Sequence, residues 1–183
     1  MSRRRLILAA LVACGLQTAV LATMITSSAS ILAEGQEIRL KTVPVDPRDL
    51  LRGEYVILNY EFTALESALI ADPFPTEAGT VTLDVRLSPG EDGFWHPIAA
   101  SFSPLEREEG SVVLRSLPFR YQPQAEKPAV VRADYGLERY YVPEGQGKAL
   151  EEARNNRQIA VNVRVGEDGA ARIASLEILE PGS

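Results

Sequence analysis

Ile159-Ala160-Val161-Asn162-Val163-Arg164-Val165-Gly166-Glu167-Asp168-Gly169-Ala170-Ala171-Arg172-Ile173-Ala174-Ser175-Leu176-Glu177-Ile178-Leu179 is the stretch that decides the fold class. Ile159, Val161, Val163 and Val165 alternate with Ala160, Asn162 and Arg164, the period of a strand with one buried face. Glu167-Asp168-Gly169 supplies turn residues, so Arg172 to Leu179 returns as the second arm of a hairpin. The same period recurs upstream. Val81, Leu83, Val85 and Leu87 alternate with Thr82, Asp84 and Arg86 up to the Pro89-Gly90-Glu91-Asp92-Gly93 turn, and Phe94 to Ser101 is predicted to pair back across them. Further strands are expected over Ile38 to Val43, Ser111 to Leu117 and Ala129 to Tyr135. One short helix is expected at Gly147 to Arg154, which contains good helix formers and a Lys148/Glu152 pair at i, i+4. The predicted architecture is mainly β: a compact β-barrel or sandwich with one short helix, occupying residues 34–183.

Residues 1–33 are of another kind. Arg3, Arg4 and Arg5 are followed by no charge until Glu34, and Leu6 to Ile25 is apolar apart from Gln17, Thr18 and Thr23. Twenty helical residues span about 30 Å, the hydrocarbon thickness of a bilayer. The arginines before the segment place the N-terminus in the cytoplasm and the remainder across the membrane, in a bacterium the periplasm. An uncleaved signal anchor in the inner membrane is therefore expected. Two alternatives share its beginning: cleavage after Ser27-Ser28-Ala29, and lipidation of Cys14 within Leu11-Val12-Ala13-Cys14-Gly15. The apolar run is long for the first and continues ten residues past Cys14 for the second. All 12 prolines and all 12 aromatic residues lie after Ala33, which marks the boundary between anchor and domain.

Composition narrows the chemistry. The chain has 183 residues, 19 Lys+Arg against 25 Asp+Glu, and a single His and Cys. A Cys/His zinc site or an intrachain disulfide cannot be assembled from that inventory. Without the three N-terminal arginines, 16 basic residues face 25 acidic ones, a charge of −9. Such a surface disfavours nucleic acid and anionic headgroups. No cofactor or metal is expected. A calcium site from Asp46, Asp49 and Glu54 would lack a recognised loop pattern.

Two segments stand out. Pro44 to Tyr60 carries Arg48, Arg52, Glu54 and Tyr55, and from Glu54 onward alternation sets Val56, Leu58, Tyr60 and Phe62 on one face with Tyr55, Ile57, Asn59 and Glu61 on the other. Asp134 to Gly147 carries Glu138, Arg139 and Tyr140 among three of the six tyrosines. Loops of a β domain converge at one end, so Arg48, Arg52, Glu54, Tyr55, Glu138, Arg139 and Tyr140 are candidates for one binding surface. The competing reading is that these groups merely brace turns and strand ends.

Pro44 to Tyr60, with Gly53-Glu54-Tyr55 followed by Leu58 and Tyr60, resembles the signature of the GDYXXLXY family of bacterial membrane-anchored proteins. Glu54 stands where the signature has aspartate, keeping the charge on a longer arm. Tyr135-Gly136-Leu137-Glu138 and Tyr141-Val142-Pro143-Glu144-Gly145 resemble the family's second common stretch. The resemblance implies a single-span envelope protein, in a family frequently encoded beside a multi-spanning membrane protein.

No catalytic residue is assigned. His96, between Trp95 and Pro97 in a predicted strand, reads as a partly buried structural histidine. An envelope hydrolase would need paired carboxylates, for instance Glu138 with Glu144, or a serine beside a desolvated Lys41, Lys127 or Lys148. A membrane-anchored binding or accessory module acting with an integral membrane protein needs only an exposed surface, and is the preferred expectation.

Overall fold

The computed structural model describes residues 3–43, 55–141 and 159–179. The first element is α1, Arg3–Glu34, and its Ala10–Glu34 portion is long and apolar enough to cross a membrane. Leu11, Val12, Leu16, Val20, Leu21, Met24 and Ile25 are all exposed.

The C-terminal turns differ. Ile31 is 7% exposed and lies against Gly166, while the Gly35 N–H donates to the Ile31 carbonyl at 2.9 Å to close the helix. A Cβ at Gly35 would collide with that carbonyl and sit 3.0 Å from the Val165 oxygen. Only glycine lets the chain leave the helix this close to the sheet.

β1 (Gln36–Lys41) then pairs antiparallel with β11 (Ile159–Val165), which pairs in turn with β12 (Ala171–Ile178). The quoted hairpin forms as expected. Gly169 at φ +82° makes its turn. Its register shifts at Asn162/Val163, leaving Ala174 as the extra residue of a bulge.

A second three-stranded sheet has β5 (Asp84–Pro89) between β6 (Trp95–Ser101) and β7 (Val112–Arg115). The β5/β6 hairpin is the one expected from the Pro89 to Gly93 turn. The single strand expected over 81–87 is two, however: β4 (Gly79–Val81) pairs with β8 (Phe119–Tyr121), and β5 begins only at Asp84. The Leu83 N–H between them donates to the Ser116 hydroxyl at 2.8 Å in place of a ladder bond. Asp84, expected on the outward face, is 2% exposed. Arg115 holds its carboxylate through Nε and a terminal nitrogen, both at 2.9 Å, and the Leu105 N–H adds a third bond, so the buried charge is fully paired.

Four further strands, in two pairs, complete the described domain. β2 (Tyr55–Ile57) pairs with β10 (Arg139–Tyr141), and β3 (Ala64–Glu66) with β9 (Val130–Arg132). Two single-turn 3-10 helices, Glu61–Thr63 and Ser67–Leu69, flank β3. The helix expected at Gly147 to Arg154 lies outside the described residues. Ile38, Leu40, Leu58, Leu65, Leu87, Leu114, Val131 and Val161 belong to one continuous core drawn from every large sheet. Among the described residues the small sheets form a sandwich-like body with no closed barrel.

Candidate functional site

The two segments singled out from sequence are adjacent strands. Register pairs Arg139 with Ile57, Tyr140 with Val56 and Tyr141 with Tyr55, joining residues some 80 positions apart. The contact continues past the ladder, where the Leu58 N–H donates to the Glu138 carbonyl at 2.9 Å and the Tyr60 hydroxyl to the Leu137 carbonyl at 3.0 Å. On the other side the Val43 N–H donates to the Asn59 carbonyl at 2.9 Å. The first segment thus links the β1 sheet to the β10 strand.

Strand alternation splits this ladder into two faces. Val56, Leu58, Tyr60 and Phe62 are buried, as the period predicted. Tyr60 and Phe62 stack at 5.1 Å, and Phe62 meets the edge of Tyr135 at 5.0 Å. Burial, with the Glu138 carboxylate nearby, raises the Tyr60 phenol far above its ordinary range; Tyr135 is raised by burial and by Asp84 and Glu138. Both phenols are thereby held in the neutral form. Among the described residues the buried Tyr135 hydroxyl has no hydrogen-bond partner.

The opposite face is open. Tyr55 and Tyr141 approach at 5.8 Å between ring centroids, and the Arg139 guanidinium lies 5.9 Å from the centre of the Tyr55 ring. Tyr141 is 70% exposed. A cation and two aromatic rings are thus held together on paired backbone rather than on a loop.

Of the seven candidates, Arg48, Arg52 and Glu54 lie outside the described residues, as do Asp46, Asp49 and Glu144. Tyr55 and Arg139 are brought together. Tyr140 packs partly against the core, because period 2 turns it away from Arg139 and Tyr141. The Glu138 carboxylate accepts from the Tyr135 N–H at 2.5 Å, tying the turn that Gly136 makes at φ +75°. Tyr141 is not among the sequence candidates although it is 70% exposed; its alternation with Arg139 is the signal that could have found it.

The model of the GDYXXLXY protein family matches residues 17–176. The chain belongs to this family. No curated protein and no solved structure matches it. Within the GDYXXLXY signature, Leu58 and the second tyrosine, Tyr60, are core residues, whereas the first tyrosine, Tyr55, faces outward. One motif therefore specifies both a fold and a surface.

The remaining chemical groups have their own partners. His96 is bracketed by Glu61 on Nδ1 at 2.9 Å and Asp92 on Nε2 at 3.0 Å. Keeping both bonds requires both nitrogens protonated, and these two acceptors, Glu61 first, raise the His96 pKa. The His96 bond in turn lowers that of Asp92. The ring clasps the β5–β6 turn to the 3-10 helix after the signature. Lys41 and Lys127 lie over the Phe94 and Phe74 rings at 5.2 and 4.7 Å. Among the described residues, no three His, Cys, Asp or Glu side chains are placed to hold a metal.

Proposed function

We propose that the protein is a single-pass binding or accessory module of the bacterial envelope, anchored in the inner membrane by α1. Its β domain stands on the periplasmic side and contacts an integral membrane protein through the patch of Tyr55, Arg139 and Tyr141. One observation carries this reading: both signature segments are spent on building one ladder, whose inner face is core and whose outer face presents an exposed cation and paired aromatic rings. Arg and Tyr are the residues that dominate binding energy in protein interfaces. The exposed apolar helix supports the anchored location, and the arginines at its start support the orientation.

A photocrosslinking residue at Tyr141 in intact membranes tests the contact. The expected product is an adduct with a multi-spanning protein that survives alkaline carbonate extraction and vanishes in an Arg139→Ala background. Adducts only with soluble proteins, or an adduct insensitive to Arg139, contradict the reading. Location is tested separately: external protease should digest the domain in cells with a permeable outer membrane, while the native N-terminus remains in the membrane fraction. A soluble product beginning at Ser30 contradicts the anchor.

A further inference from the structure

Arg172 opens β12 on the side of the domain that meets α1. Its Nε is 3.4 Å from the Ser28 hydroxyl and one terminal nitrogen donates to its neighbour's carbonyl, that of Ala171, at 2.8 Å. Among the described residues it has no acidic partner. Its cross-strand neighbour Arg164 contrasts with it: that guanidinium reaches Glu37 at 2.6 Å and the Gly35 carbonyl at 3.0 Å. Arg172 is thus a half-buried cation with donors to spare, held against the anchor helix.

With Ala19, Val20, Thr23, Met24, Ser27 and Ser28 it lines a groove of about 510 Å³. If Leu6 to Ile25 fills the hydrocarbon layer, Ser28 lies three residues, about 4.5 Å, beyond its edge, in the headgroup layer. Ala19 to Met24 lie within the layer. The groove therefore runs from an apolar floor inside the hydrocarbon to a guanidinium at headgroup depth, the polarity order of a phospholipid.

We propose that this groove is a phospholipid site. An acyl chain of the domain-side leaflet covers Ala19, Val20, Thr23 and Met24, and the lipid phosphate accepts hydrogen bonds from Arg172. Guanidinium donors in a fixed fork match phosphate oxygens. The acidic domain, at −9, favours a zwitterionic headgroup over a net-anionic one. Bound lipid would fix the docked domain against the bilayer surface. The site rests on the membrane-anchored reading above but not on the Tyr55 patch.

The test is native mass spectrometry of the full chain released from micelles containing dioleoyl phosphatidylethanolamine. One retained lipid is expected on the wild type, with apparent affinity falling about tenfold in Arg172→Gln, a loss in the range of one charge-assisted bond. Arg172→Lys, which keeps the charge, should lose less than Arg172→Gln. Equal retention by the wild type and Arg172→Gln overturns the site, as does displacement of the lipid by millimolar inorganic phosphate, which would identify a free-phosphate site. A membrane-inserted wild type that retains no lipid also refutes it while leaving the anchor standing. Failure of the chain to enter membranes at all refutes both.

Discussion

Two aromatic clusters are built from the same pair of segments and do opposite work. Tyr60, Phe62 and Tyr135 are buried, stacked or edge-on, and their phenols are locked neutral. Tyr55 and Tyr141, with Arg139, sit across the ladder in the open. Along the signature segment, Tyr55 and Tyr60 lie five positions apart, an odd spacing that sets them on opposite faces. Tyrosine in a family signature is therefore not one kind of evidence: its meaning is set by the face on which period 2 places it.

The largest expected effect lies on the inner side. Tyr60→Ala should cost about 3–5 kcal/mol in denaturant unfolding, the range for truncating a large buried aromatic residue; a cost below about 1 kcal/mol would mean Tyr60 is not core. A finer pair of substitutions probes the hydroxyls within that cluster. Tyr60→Phe loses the bond to the Leu137 carbonyl and should cost about 1 kcal/mol. Tyr135→Phe removes a buried hydroxyl that has no partner among the described residues, so it should leave stability unchanged or raise it. Equal losses in both would contradict the hydrogen-bond assignment.

His96 sharpens the comparison from the outer face, because Glu61 continues the outward side of the signature strand. The His96 pKa is raised in the folded state. Its contribution is thus fully present below the unfolded value of about 6.5 and is lost as pH rises through the folded value. Asp92, lowered by the same bond, works in the other direction: its share is present above the ordinary carboxylate range and lost as pH falls through its depressed value. With the ring 35% exposed, the His96 effect should stay below about 1 kcal/mol. Melting curves from pH 5 to 9 should show it, and His96→Gln should flatten that alkaline limb; an unchanged limb in the variant contradicts the clasp.

Much of the fold is legible in the chain where the pattern is local. The Ile159 to Leu179 hairpin, the β5–β6 hairpin and the inward set Val56, Leu58, Tyr60 and Phe62 follow from alternation and turn residues alone. The break between β4 and β5 does not, because the Ser116 hydroxyl that captures the Leu83 N–H lies 33 positions away. Alternation places Asp84 outward for the same reason: Arg115, which pairs its charge, lies 31 positions away. At the candidate site, alternation assigns Tyr55 to the open side, yet nothing local reveals that its cross-strand partner is Tyr141. The segments were expected to converge as loops; over the described residues they meet as paired strands, a register that only the whole core sets.

The helix offers the same lesson in another setting. Its apolar run could be recognised from composition, but not that Ile31 leaves the run to dock on the sheet, a contact that needs both Gly35 and Gly166.

The smallest effect on stability is expected where the effect on binding is largest. Arg139→Ala and Tyr141→Ala, in the full chain in membranes, should shift unfolding by no more than about 0.5 kcal/mol, as exposed substitutions do. The decisive measurement is to record, for both variants, thermal melting and co-purification of the integral membrane partner side by side. Melting within a degree or two of wild type with the partner lost is the result expected of a binding face. Early melting, with the surviving folded protein still capturing its partner normally, would show that Arg139 and Tyr141 brace the fold and that the partner is held elsewhere.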